Sequence, residues 1–142
     1  MERTLAIIKP DAVKKGLLGE ILFKIQSEGY KIVAMKMLRI NPTQAGEFYS
    51  MHRGKAFYED LTQYMSSAPI VPIVLMKDNA IEDYRNFMGA TDPNQAAEGT
   101  LRKIYAESKS VNAVHGSDSP NSAEKEISFF FSESEIVANL QF

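Results

Sequence analysis

His115, one of the two histidines in the 142-residue chain, stands in a run of small and polar residues, Asn112-Ala113-Val114-His115-Gly116-Ser117-Asp118-Ser119. Alone, a histidine in such a polar loop reads as a surface residue or as one that bonds neighbouring backbone. Three features of the segment point instead to chemistry. Gly116 leaves room beside the ring for a large group to approach. Ser117, Asp118 and Ser119 supply acceptors and hydroxyl donors next to it. Glu126 closes a short predicted helix further on and can fold back toward the loop. A carboxylate bonded to one imidazole nitrogen fixes the tautomer and leaves the lone pair of the other nitrogen free to attack. An ordinary imidazole titrates near ~6.5, so the neutral, nucleophilic form is abundant at neutral pH.

Scattered cations suggest what such a nucleophile would attack. Lys9 ends the first predicted strand, Arg85 lies in a predicted helix, and Arg102 sits in Thr100-Leu101-Arg102-Lys103. Thr91 follows the Gly89-Ala90 pair. Guanidinium groups match phosphate oxygens bidentately, so these side chains together suit a polyphosphate. Singly, each reads as a solvated surface charge, and spacing alone does not bring them together. The chain carries no G-x-x-x-x-G-K-[ST] loop, no G-x-G-x-x-G, no H-E-x-x-H and no G-x-S-x-G. Any phosphate is therefore held without a glycine-rich cradle.

Composition narrows the class. Apolar residues make up 44% of the chain and charged residues 24%, ordinary for a soluble globular domain. With 16 basic and 18 acidic residues the formal charge is −2, which argues against general nucleic-acid binding. There is no cysteine, hence no disulfide and no thiolate metal site. No apolar run approaches the roughly 18 residues of a membrane helix, and the first residues lack a signal-peptide core. These features predict one soluble, cytoplasmic domain spanning residues 1–142.

Patterning then supplies the elements that must position those residues. Arg3–Lys9 reads as a buried strand ended by Pro10. Leu18, Ile21, Leu22 and Ile25 define a helix face closed by Gly29. Tyr30–Ile40 has strand composition, with Val33, Met35 and Met37 alternating as a core face. Thr43 is placed as the cap of a helix to about Tyr49, and a second helix covers Tyr58–Met65. The apolar run ending at Lys77 predicts a third strand with Pro72 near its start. Asn79 and Glu82 have capping-box spacing for a helix ending at Gly89. Asp92-Pro93 and Ser119-Pro120 both read as helix starts, the latter helix ending near Glu126. Ile127–Phe131 is predicted as the fourth strand, with its phenylalanines as core. This order predicts an α+β, ferredoxin-like αβ-sandwich, a four-stranded antiparallel sheet with helices on one face; a small parallel α/β sheet is the alternative.

The stretches TLAIIKPDAV, NFMGATDP, TLR, NAVHGSDS and SAEKEI closely resemble those of nucleoside diphosphate kinases, in order along essentially the whole chain. The resemblance implies γ-phosphoryl transfer from a nucleoside triphosphate to a nucleoside diphosphate through a phosphohistidine, in a ping-pong route. It implies Mg2+ carried by the nucleotide, with no metal ligands from the protein, and a homo-oligomer, hexameric or tetrameric. By the same resemblance His115 is the nucleophile and Glu126 orients its ring, with Ser117 bonded near Glu126. Lys9 and Asn112 contact the ribose 3′-hydroxyl, with Lys9 also near the transferred phosphoryl. Arg85, Thr91 and Arg102 hold phosphates. Tyr49 lies close to the histidine, His52 near the α-phosphate, and Phe57 stacks on the base. The chain departs from the common pattern at Lys55-Ala56, Glu98, Lys103-Ile104-Tyr105 and Lys109. A non-catalytic nucleotide-binding module and a phosphohistidine phosphatase or relay are the competing readings; neither needs the whole set of His115, Glu126, Lys9 and Asn112.

Overall fold

A computed structural model describes residues 1–137. Its sheet contains β1 (Glu2–Ile8), β2 (Lys31–Met35), β3 (Val71–Lys77) and β4 (Val114–Gly116) in the order β2-β3-β1-β4. Every neighbouring pair is antiparallel, as the ferredoxin-like reading requires. The parallel alternative is excluded. The helices are α1 (Pro10–Lys14), α2 (Leu18–Ser27), α3 (Pro42–Phe48), α4 (Tyr58–Met65), α5 (Ala80–Met88), α6 (Leu101–Tyr105) and α7 (Pro120–Phe130). Among the described residues no helix is long and apolar enough to cross a membrane.

Helices cover both faces of the sheet, not one. Successive β1 side chains point to opposite faces. Leu5 and Ile7 enter a core with Phe48, Ile127 and Phe130 from α3 and α7. Ala6 and Ile8 enter a second core with Ile21, Ile25, Tyr84, Met88 and Leu101 from α2, α5 and α6. A central strand buried on both faces has no polar side to show, which is why this stretch reads as a continuous apolar run.

The largest correction concerns the C-terminal third. Ile127–Phe131 is not a strand; it completes α7, which runs through Phe130. Ser119 caps this helix by accepting from the Ser122 amide, with Pro120 at the first helical position. Its buried residues, Ala123, Glu126, Ile127 and Phe130, recur at helical spacing, while Phe129 is 41% exposed. The fourth strand is β4, in the segment read as a loop, where Ala6, Ile7 and Ile8 pair with Gly116, His115 and Val114. Three residues are too few for alternation to register.

Other departures are local. β2 stops at Met35, and its register shifts between Ile32 and Ala34. The extra residue inverts the alternation beyond it, leaving Met35 and Met37 exposed instead of in the core. Asn41, not Thr43, caps α3, in a reciprocal box with Gln44 at 2.8 and 2.9 Å. Asn79 adopts φ 55° and makes no side-chain cap; the Ile81 amide donates instead to Glu2 Oε1 at 2.9 Å. Asp92-Pro93 starts a turn, not a helix, with Asp92 Oδ1 accepting from the Asn94 amide at 2.9 Å. Pro10 both ends β1 and starts α1, a helix the sequence pattern did not reveal.

Gly116 also has a different reason from the one its sequence suggests. A Cβ there would lie 2.7 Å from Tyr84 Cδ2 and 2.8 Å from Met88 Cε, so the missing side chain lets α5 pack on β4. Gly116→Ala is expected to destabilise the fold by about 1–3 kcal/mol through overpacking, read as a lower urea midpoint.

Candidate active site

β4 places His115 between β1 and α7, at the sheet edge. Its Nε2 lies 2.8 Å from Glu126 Oε1, and Ser117 Oγ donates to the same oxygen at 2.8 Å. The Leu5 amide donates to Ser117 Oγ at 3.2 Å, tying the hydroxyl to β1. A carboxylate can only accept, so Nε2 carries the proton and Nδ1 keeps its lone pair. The α3 residue Phe48, which sequence reasoning missed as a site residue, sets its ring edge-on to the imidazole with centroids 5.6 Å apart. Its only sequence signal is apolar spacing along α3, which reads as core.

His115 and Glu126 line a cleft of about 190 Å3 together with Tyr49, His52, Arg85, Thr91 and Arg102. A neighbouring cavity of about 450 Å3 shares Arg85, Thr91 and Arg102 but contains neither His115 nor Glu126. The imidazole–carboxylate pair therefore opens into the smaller cleft. Asp118 and Ser122 also line it. Asp118 titrates below the usual carboxylate range, chiefly through a bond to Ser122.

The guanidinium groups are aimed by backbone. Arg102 donates to the Gly89 carbonyl at 3.2 Å and to the Val114 carbonyl at 2.9 Å, while its Nε is buried and unpartnered. Burial lowers its pKa. Arg85 donates to the Gly116 carbonyl at 3.3 Å. Both arginines thus anchor on residues flanking His115. Thr100 caps α6, and a Cβ at Gly89 would lie 2.5 Å from the Thr100 hydroxyl oxygen. With φ 85°, Gly89 is the residue that lets α5 and α6 approach there.

Lys9 and Asn112 meet across the sheet: Lys9 Nζ donates to Asn112 Oδ1 at 2.7 Å. The Lys9 amide donates to the Ala113 carbonyl at 2.8 Å. Burial, then repulsion by Arg102, pushes the Lys9 ammonium down to about 7, against the opposing pull of Asp11. Tyr49 sets its ring edge-on to His115 at 6.5 Å, and its hydroxyl is buried without a partner. Burial, followed by the Glu126 charge, raises that phenol above its ordinary range. His52 is half-buried, stacked near Tyr49 at 6.3 Å and edge-on to Phe57 at 5.1 Å. Burial, then Lys55, lowers its pKa. Phe57 is 48% exposed and adjoins the cleft through His52, with Lys55 Nζ 5.8 Å from its ring centre.

An imidazole with one free nitrogen, faced by two guanidinium groups on a ferredoxin-like αβ-sandwich, is the architecture of a phosphotransferase. The family model described as nucleoside diphosphate kinase matches residues 2–136. The nucleoside diphosphate kinase of Chloroherpeton thalassium is 56% identical over 140 residues, covering 99% of both chains. A crystal structure of the Aquifex aeolicus enzyme superposes with a TM-score of 0.94 at 47% identity, over 96% of this chain and 99% of that one. A Halobacterium salinarum nucleoside diphosphate kinase, solved in complex with CDP, gives a TM-score of 0.94 at 37% identity over 99% of this chain and 93% of that one. The chain belongs to the nucleoside diphosphate kinase family.

Proposed function

We propose that a single domain moves the γ-phosphoryl group of a nucleoside triphosphate to a nucleoside diphosphate by way of His115. The observation that carries this reading is the Nε2 to Glu126 bond, which leaves Nδ1 as the attacking atom. In the first half, the Nδ1 lone pair forms an N–P bond while the bond from the γ-phosphorus to the β–γ bridging oxygen breaks. The diphosphate leaves with that electron pair. In the second half, a terminal β-phosphate oxygen of an incoming diphosphate attacks the same phosphorus, and the N–P bond returns its pair to Nδ1. No proton has to be removed before attack, so no separate base is needed.

Arg85, Arg102 and Thr91 bind the phosphates, and the unpartnered Tyr49 hydroxyl is available as a donor to the phosphoryl oxygens. Lys9 and Asn112 hold the ribose 3′-hydroxyl, with Lys9 reaching the transferred group. His52 lies toward the α-phosphate. Phe57 stacks on the base; since every base has a π-face, broad base use follows, cytidine nucleotides included.

Among the described residues no three His, Cys, Asp or Glu side chains cluster as a metal cage. We take the Mg2+ to ride on the nucleotide phosphates, with Asp118 a carboxylate of the cleft that could reach it or its waters. When bound, the ion neutralises phosphate charge. Exposed Phe23, Met35, Met37 and Ile104 support assembly into a homo-oligomer, hexamer or tetramer. Cytoplasmic residence suits the nucleotide substrates.

The test is to incubate the chain with γ-labelled ATP. Label that is stable in alkali, lost in acid, and chased onto a diphosphate establishes the reading; label that stays on the protein during the chase overturns it. A second outcome is expected from Lys9, which is mostly neutral in the free protein above its value of about 7. A bound triphosphate favours the ammonium, so at about pH 8 binding takes up roughly one proton. Calorimetry in buffers of different ionisation enthalpy reads that uptake, and Lys9→Met removes it.

A further inference from the structure

Asp11 is a buried carboxylate that this reaction leaves unused. It lies in the first turn of α1, two residues past Lys9, and is only 7% exposed. Its Oδ1 accepts the hydroxyl of Tyr64 from α4. Its Oδ2 is buried without a hydrogen-bond partner. A buried carboxylate with half its acceptor capacity unmet is costly and calls for a compensating partner.

The surroundings of Lys9 supply that partner. Lys9 is 6% exposed, and among the described residues it forms no direct ion pair. It lies 5.9 Å from the centre of the Tyr64 ring, on the residue that holds Asp11. The groups that face it are Asp11 from α1, Tyr64 from α4 and Arg102 from α6; Asn112 and the Ala113 carbonyl, ahead of β4, are uncharged. Of these only Asp11 carries a negative charge that favours the ammonium, while Arg102 repels it. Tyr64 stays protonated, because burial and then its bond to Asp11 raise its pKa, so it remains a donor to the carboxylate.

We propose that Asp11, fixed by Tyr64, is a positioning residue for Lys9: it is the buried counter-charge that holds the amine on Asn112 and favours its ammonium over the neutral amine, against Arg102. The proposal rests on Lys9 belonging to the nucleotide site. The Tyr64 hydroxyl holds the Asp11 carboxylate in place, so the two residues act as a unit.

The test uses the full chain without nucleotide. An amine-acylating reagent is applied across about pH 5 to 10, and labelling of the Lys9 peptide is followed by mass spectrometry. Asp11→Asn is expected to lower the half-labelling pH of Lys9 by about one unit. Its turnover is expected to fall about tenfold at about pH 8 and to recover in large part near pH 6, where the ammonium re-forms. Asp11→Glu, which keeps the charge, restores most of both. Tyr64→Phe moves the midpoint in the same direction by a smaller step, and it serves alone if Asp11→Asn does not fold. An unmoved midpoint, with an activity deficit equal at every pH, would show Asp11 to be structural only and overturn the proposal. Because the labelling needs no nucleotide, an error in the site assignment appears separately, as a wild-type chain that takes no label from γ-labelled ATP.

Discussion

His115→Ala is expected to lower turnover by about 10^5-fold and to abolish the acid-labile label, because in the proposed reaction the residue is itself the carrier of the phosphoryl group. The remaining groups, Arg85, Arg102 and Thr91, would still bind a nucleotide. They would have nothing to hand the phosphoryl to between the departure of one nucleotide and the arrival of the next. Nucleotide affinity should therefore change little while single-turnover transfer disappears. The neighbouring Phe48 and Tyr49 rings pack on the imidazole, so alanine leaves a small void but no unpaired charge. The Glu126 carboxylate keeps its bond from Ser117. A stability loss of about 1–2 kcal/mol is the expected side effect, readable by denaturant titration. Label retained on His115→Ala at wild-type level would move the nucleophile to another residue. A free imidazole added to that variant should restore part of the transfer, since the empty volume next to the guanidinium groups is shaped to that ring.

How much of this was legible in the chain varies with the range of the interaction. His115 and Glu126 stand close enough in sequence for their partnership to be proposed before any fold was known. The caps at Ser119 and the span of α4 follow from local chemistry and matched the structure. Lys9 stood out as a cation, but its pairing with Asn112 followed only from family resemblance, because a bond between the first strand and the segment ahead of the last has no local signature. The Ile127–Phe131 misreading has a definite cause: three consecutive phenylalanines have strand composition, whereas the helical period in which they take part begins earlier, at Ala123. Gly116 was read as clearance for a ligand because the sequence shows a histidine beside it. The structure shows Tyr84 and Met88 beside it. Asp11 gave no signal at all, since nothing in its sequence neighbourhood marks an aspartate after a strand-ending proline as buried. Only its burial, and the hydroxyl that reaches it from α4, set it apart.

Glu126→Gln separates orientation from charge at the imidazole. Glutamine presents a carbonyl oxygen of nearly the same shape, so it can accept from both Nε2 and Ser117 and keep the ring aimed. What it lacks is negative charge. As Nδ1 bonds to phosphorus, positive charge builds over the ring, and a carboxylate 2.8 Å from Nε2 stabilises it in this part-buried site. That interaction is strongest in the transition state and in the phosphorylated ring, and weakest in the resting neutral ring. The variant should thus lose turnover by about 10^2-fold while KM for the nucleotide stays within a few-fold, the signature of an interaction made mainly at the transition state. The phosphorylated form of the variant should also shed its phosphoryl group to water faster than wild type, because the ring is a better leaving group without its counter-charge. Equal losses in turnover and binding, with no change in the lifetime of the phosphorylated protein, would reduce Glu126 to a support of the fold. The same logic predicts that Ser117→Ala, which takes a neutral donor from the carboxylate and leaves its charge, acts in the same direction as Glu126→Gln but by a smaller factor. The hydroxyl bond touches Glu126 directly but reaches the charge on the imidazole only at second hand.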